Sequence, residues 1–294
     1  MNIILVSVGN LQEYIIQNMY NLLLFQNNDI FIITDRIFFE QLYQQITVLI
    51  QSFPNANIQM IDSAELNDYH YNQNSNLDKI FRNGFWHFAS LRLFYVYSLI
   101  EKYHMTNCIH LENDVMTYHS FKQLQCKFTE NKVYATFDSS NRVIPGIMYI
   151  PNSESFKPII EQYDYTSNDM INLSKFGEDI ILPLPICCYD SEYHKYTKLF
   201  PLFECIFDGA AIGQYLGGVD PRNIYGNTIG FINEECVIKY NQFTFYWLKQ
   251  PDGLYKPHAF INNKYIPIIN LHIHSKKLYC FLADRPLETT LINY

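Results

Sequence analysis

Ile109-His110-Leu111-Glu112-Asn113-Asp114-Val115-Met116 is an apolar run that stops at two acidic residues one position apart and then turns apolar again. The run predicts a strand over Cys108-Ile109-His110-Leu111, so that Glu112 and Asp114 emerge together at its carboxyl end. Upstream, the two hydrophobic periods alternate. Ile3 to Val8 predicts a buried strand and Gly9-Asn10 a turn. Leu11, Ile15, Met19, Leu22 and Leu23 give helical spacing from Leu11 to Phe25, and Ile30 to Thr34 returns to a strand. The pattern continues with a helix over Ile37 to Ile50, a strand over Ile58 to Ile61 and a helical region from Leu77 to Tyr103 whose weak point is Gly84. Beyond the acidic residues come a weak helix over Phe121 to Phe128 and strands over Val133 to Phe137 and Gly146 to Ile150. Alternation of this kind predicts an α/β layer architecture with a mostly parallel sheet flanked by helices.

After Pro151 the pattern loosens. Helices are expected over Asp169 to Phe176 and Ala210 to Leu216, strands over Gly230 to Ile232 and Ile266 to His274, and a hairpin around Lys256-Pro257-His258. Without an internal repeat or a Pro/Ser/Gly-rich linker, residues 1–294 read as one domain with two halves, 1–150 and 151–294. With 48% hydrophobic and 17% charged residues the chain can offset its ordering entropy by burial, which sets disorder aside. Its 29 acidic against 21 basic residues give a net charge of −8, the wrong sign for a nucleic-acid partner. Seven cysteines, an odd number with no C-x-x-C pair, fit a reducing compartment rather than a disulfide framework. The apolar start is only six residues long and lacks a basic flank, so it reads as a strand and not a signal peptide, and no run reaches membrane-span length. The expected location is the cytoplasm.

Ligands of open α/β sheets bind at the carboxyl edge of the strands, and two carboxylates there offer the hard oxygens that suit Mn²⁺ or Mg²⁺ bridging to phosphate. The competing reading of Glu112 and Asp114 is a turn residue and a helix cap. Near the other end of the chain, Leu271-His272-Ile273-His274-Ser275-Lys276-Lys277 puts two histidines on one strand face, followed by lysines. Histidine completes metal sites and lysine brings a point charge to phosphate, while a surface histidine pair is the plain alternative. Asp208 precedes the Ala210 to Leu216 helix and Gly217-Gly218 follows it, which predicts capping. Glu178-Asp179 is a second carboxylate pair that nothing separates from a helix start.

An apolar strand feeding Glu112-Asn113-Asp114 resembles the DxD-type motif of GT-A glycosyltransferases, with Glu112 in place of the usual first Asp. Ser7-Val8-Gly9-Asn10 after the first strand, Thr34-Asp35 after the second, Phe85-Trp86, Arg92 and His272-Ile273-His274-Ser275-Lys276 extend the likeness over nearly the whole chain, toward the glycosyltransferases of large DNA viruses. The resemblance implies a GT-A, Rossmann-type mixed sheet and transfer of a sugar from a nucleotide-sugar, a UDP-sugar by the commonest pattern, to a glycan or other hydroxyl acceptor. By the same likeness, Ser7 to Asn10 and Thr34-Asp35 hold the nucleoside, with Asp35 at the uracil edge. Glu112 and Asp114 flank Mn²⁺ or Mg²⁺, Asp114 as direct ligand, and Asn113 lies with them in the donor site. Glu112, one methylene longer than Asp, acts on the metal or through the ribose or a water. His272 or His274 completes the metal site and Lys276 meets the diphosphate. Arg92 is either a diphosphate contact or a buried carboxylate partner. Gly146 lies beside the donor sugar, and Asp208 is a candidate base or sugar-hydroxyl contact. If viral, the chain would work in the host cytoplasm.

Two other readings compete. Asp68-Tyr69-His70 and His272-Ile273-His274 carry fragments of a metallophosphoesterase pattern, but no G-D-x-x-D follows Asp68. A non-catalytic carbohydrate-binding protein on a transferase fold would use the 24 tyrosines and 22 phenylalanines as a sugar platform. A nucleotidyltransferase is disfavoured, since the turn after the first strand lacks a Gly-rich, basic loop.

Overall fold

A computed structural model of the chain describes residues 1–285. Strands β1 (Asn2–Ser7), β2 (Asp29–Thr34), β3 (Asn57–Asp62) and β4 (Cys108–Leu111) are parallel. β1, β2 and β4 are short, apolar and largely buried on both faces, as central parallel strands require, whereas β3 is the half-exposed edge strand. Successive side chains serve opposite faces: Ile3 and Leu5 pack with Met19, Leu22, Leu42 and Ile46, whereas Ile4 packs with Leu91, Phe94 and Leu99. The first face is therefore covered by α1 (Ile15–Leu24) and α2 (Phe39–Ser52), the second by α3 (Phe85–Lys102).

After β4 the chain runs through β5 (Val115–Thr117), β6 (Val133–Ser139), β7 (Arg142–Ile150), α4 (Ser153–Glu161), α5 (Asp169–Ser174) and β8 (Ile181–Leu184). The main sheet has the order β3-β2-β1-β4-β7-β6-β8. Only β7 runs against its two neighbours, so the sheet is mixed and mostly parallel. The last part of the chain adds α6 (Ala211–Gly217) and a three-stranded antiparallel sheet of β9 (Thr244–Lys249), β10 (Tyr255–Ile261) and β11 (Lys264–Pro267). A final strand β12 (Asn270–His272) pairs with β5. No helix among the described residues is long and apolar enough to cross a membrane.

Strand order sets the site. From β1 the chain moves to β2 and β3 on one side, then returns to place β4 on the other, which opens a crevice between the carboxyl ends of β1 and β4. The acidic turn follows one of these ends and Val8 to Asn10 the other.

Six expectations are corrected. The helix expected from Leu77 begins at Phe85: Arg82, Asn83 and Gly84 all have positive φ, the last +77°, and three left-handed residues cannot lie within an α-helix. The first helix starts at Ile15 rather than Leu11, because Gln12 is drawn back to Ser7 Oγ at 2.6 Å. Phe121 to Phe128 supplies one α turn, Phe121–Leu124, and a 3₁₀ turn, Gln125–Lys127. Gly230 to Ile232 is irregular chain, and Lys256-Pro257-His258 lies inside β10 rather than in a hairpin turn. Ile266 to His274 is not one strand but the end of β11 and the whole of β12, which pair with different partners.

Candidate functional site

A cavity of about 910 Å³ follows the carboxyl ends of β1 and β4 and the adjoining start of β7. The acidic turn forms its floor. Glu112 N–H donates to Gly146 O at 2.9 Å and Val115 N–H to Glu112 O at 3.0 Å, while Asn18 from α1 donates to Asn113 O at 3.0 Å. Asn113 reaches back to β1, donating to Val6 O and Gln12 Oε1, both at 2.8 Å. The turn is thus tied to β7, α1 and β1 at once, and its carboxylates are held on a fixed base.

β12 brings histidine to this base because His272 pairs with Val115, directly after the acidic turn. His272 Nε2 lies 2.9 Å from Glu112 Oε2 and 3.3 Å from Asp114 Oδ1. Lys276 Nζ contacts the other oxygen of Asp114. Arg92 contacts Glu112 and lies 2.7 Å from Asp169 Oδ2, so its position is that of a buried carboxylate partner on the cavity wall. Three carboxylates face three cations. Burial opposes the charge on Glu112, but Arg92 and His272 hold it below the usual carboxylate range. Burial likewise opposes charge on Asp114, but Lys276 and His272 hold it well below. For His272 burial is again the opposing influence, and Asp114 and Glu112 overcome it to raise the imidazole to about 10. Burial keeps His274 neutral by lowering it to about 3, and its Nδ1 faces Gln214 Nε2 at 3.0 Å.

Two small features make room for His272. A Cβ on Gly146 would stand 2.8 Å from His272 Nδ1, and one on Gly213 would stand 2.0 Å from the His272 carbonyl oxygen. Asp208 braces the same strand from beneath. Its carboxylate accepts from His272 N–H at 2.9 Å, Gly213 N–H at 2.7 Å and Ile212 N–H at 2.9 Å. It is buried outside the cavity lining, in the position of a cap that joins α6 to β12.

The nucleoside candidates divide. Val8 and Asn10 line the cavity. Ser7, Gly9, Thr34 and Asp35 stand behind them: Asp35 accepts from Gly9 N–H at 2.7 Å, and Thr34 Oγ1 donates to Ser7 O at 2.7 Å. Of the remaining candidates, Arg92, Glu112, Asn113, Asp114, His272, His274 and Lys276 line the cavity, whereas Gly146 lies under it. Asp68, His70, Glu178 and Asp179 lie away from it. Asp68 caps a helical turn and Glu178 pairs with Lys198. Residues without a sequence signal also line the cavity, among them Gln12, Tyr14, Asp169 and the Asp220–Arg222 pair. Tyr14 lies under Lys276, 5.8 Å from its ammonium, and only its place beside Gly9-Asn10 could have marked it.

One ligand atom each from Glu112, Asp114 and His272 lies within 4.8 Å of the others. Two carboxylate oxygens and one imidazole nitrogen fit Mn²⁺ or Mg²⁺, and the dication would replace the His272 proton and the Lys276 ammonium as countercharge.

No protein-family model matches the chain, and no curated protein does. Among solved structures it is similar to the bifunctional glycosyltransferase WbbM, at 12% identity and a TM-score of 0.46 over 63% of this chain and 39% of that one. It is also similar to mouse xyloside xylosyltransferase 1, at 9% identity and 0.44 over 69% and 92% of the two chains. GlyE of Streptococcus pneumoniae TIGR4 gives 13% identity and 0.40 over 61% and 44%. The chain thus spans less than half the length of WbbM and of GlyE.

Proposed function

We propose that this chain is a metal-dependent glycosyltransferase that moves a sugar from a nucleotide-sugar, a UDP-sugar in the first instance, to a hydroxyl acceptor. The observation that carries the reading is the meeting of Glu112, Asp114 and His272 at the switch point of the sheet, on the wall of a cavity that also holds Lys276. A nucleoside diphosphate needs this combination: hard ligands for a dication, a second cation within reach, and apolar and amide groups nearby for the nucleoside.

In this reading Asp114, Glu112 and His272 hold Mn²⁺ or Mg²⁺, which when bound supplies countercharge to the diphosphate. An acceptor hydroxyl attacks the anomeric carbon as the diphosphate leaves, and Lys276 offsets the charge that grows on the departing oxygen. Arg92 holds Glu112 in place from Asp169. Val8, Asn10 and Gln12 face the nucleoside, while Asp35 and Thr34 shape their loop from behind. Asp208 acts through His272, as a positioning residue. The test is a panel of nucleotide sugars assayed for release of the nucleoside diphosphate. One UDP-sugar should be turned over with Mn²⁺ and none with EDTA; equal release in EDTA, or glycan binding with no turnover of any donor, would overturn the reading.

A further inference from the structure

β4 ends at Leu111, which pairs with Ile147, so residues 142–146 of the antiparallel β7 overrun β4 along the ligand edge. Five residues of extended chain carry Arg142 on the order of 15 Å past that pairing. The edge therefore runs from β1, with Val8 and Asn10, across the acidic turn after β4, to Asn141, Arg142 and Glu235 at the far side of the same cavity.

That far side is built. Arg142 contacts Glu235, and its other amino group lies 2.9 Å from Asp138 Oδ2. Asp138 is wholly buried and stands where the β6–β7 register breaks, between Phe137 and Ser139. A bulge re-aims a side chain, and here it sets a carboxylate under the cavity wall. The loop that carries Glu235 is pinned in turn, by Val237 N–H on Asp138 O at 2.8 Å and by Lys239 Nζ on Glu234 O at 2.8 Å. Arg142 Nε is nonetheless buried without a hydrogen-bond partner. The guanidinium that lines the cavity thus keeps one donor that no protein group fills.

Charge selects the ligand. Arg142 is matched by Asp138 and Glu235, Arg222 is closed on Asp220 at 2.7 Å, and Arg82 gives its amino groups to Asn223 Oδ1 and Arg222 O, so three carboxylates balance three cations on this side and no net positive charge is left to hold a phosphate or carboxylate. At the other end a dication bound to Glu112, Asp114 and His272 would release Lys276 from Asp114, and positive charge would gather there instead. What Asn141, Arg142 and Glu235 offer is paired donors and acceptors, the complement of adjacent hydroxyls. Resting on the donor reading above, we infer that Asn141, Arg142 and Glu235 form the acceptor subsite, that it takes a neutral, hydroxyl-rich sugar, and that Asp138 is the residue that positions Arg142.

The test loads the protein with UDP and Mn²⁺ and follows methyl glucoside, methyl galactoside, methyl xyloside and glucose 6-phosphate by saturation-transfer NMR. At least one neutral glycoside should bind, and glucose 6-phosphate more weakly. Glu235→Gln, at a side chain 70% exposed and so safe for folding, should weaken that glycoside at least tenfold and leave UDP affinity within twofold. Asp138→Asn should do the same, and Arg142→Lys should not restore binding, since a lysine cannot bridge both carboxylates. Tighter binding of glucose 6-phosphate, no glycoside binding, or glycoside affinity unchanged in Glu235→Gln would overturn the inference. Failure of UDP to bind the wild type, with the glycoside result intact, would overturn the donor reading and still support a neutral-sugar subsite at Arg142.

Discussion

The two turns that meet at the cavity floor are built in opposite ways. Glu112 to Asp114 leaves the middle of a seven-stranded sheet and is held by backbone and amide bonds from β1, α1 and β7. His272 to Lys276 leaves a three-residue strand, and Lys276 sits in the left-handed region at φ +62°. What fixes the second turn is the first, through His272 to Glu112 and Asp114, Lys276 to Asp114, and Ile273 N–H to Asp114 O at 2.8 Å, with Asp208 bracing from behind. The sheet places the carboxylates, and the carboxylates then place the cations. Loss of a carboxylate should therefore disturb the whole site, and loss of a cation only its own function.

The largest effect is expected at the hinge of this dependence. Asp114→Asn keeps the shape but removes the charge that His272 and Lys276 share, and it should abolish Mn²⁺-dependent UDP binding in calorimetry; retained binding would break the comparison at once. Next comes Lys276→Met, which should cut turnover by roughly 2 to 4 kcal/mol of transition-state stabilisation and affect donor affinity far less. Its control is Lys277→Met, nearly silent because Lys277 is exposed. The control does not rest on strand alternation: β12 ends at His272, and a turn carries Lys276 back to Asp114. Initial rates of the two variants decide the matter.

Asp208→Ala sharpens the contrast from the second turn. Three buried N–H groups lose their acceptor, so urea unfolding should show a loss of about 2 kcal/mol, with weaker Mn²⁺ binding but measurable turnover at saturating Mn²⁺. A large fall in turnover without loss of stability would make Asp208 a base instead. The smallest effect is on pH. Without metal, His272 is raised to about 10, so its stabilising charge is fully present below the ordinary histidine value of about 6.5 and fades as pH rises through 10. Metal binding has the opposite sign, because ligation displaces that proton. Mn²⁺ affinity should rise about tenfold per pH unit between 6 and 8 on this account, with one proton released, as calorimetry in buffers of different ionisation heat would show.

Legibility in the sequence followed the same division. The first half alternates apolar strand runs with helical spacing, and β1, β2 and β4 are largely buried, so these strands and the acidic edge could be read from hydrophobicity alone. In the second half, β12 exists because Asn270 and His272 bond to Asp208, two polar residues 62 and 64 positions away, and no local pattern marks that. The His272/His274 choice was closed in the sequence for the same reason. One ring meets the carboxylates and the other Gln214, a difference made by the chain's turn after β12. Asp169, seen only as a helix start, faces the cavity because α5 packs against β7 and hands its first acidic residue to Arg92.

The most direct measurement is a calorimetric titration of the wild-type protein with UDP, once in Mn²⁺ and once in EDTA. Binding is expected with Mn²⁺, lost in EDTA and lost again in His272→Ala with Mn²⁺ present. UDP bound with equal affinity in EDTA, or unaffected by His272→Ala, would contradict it.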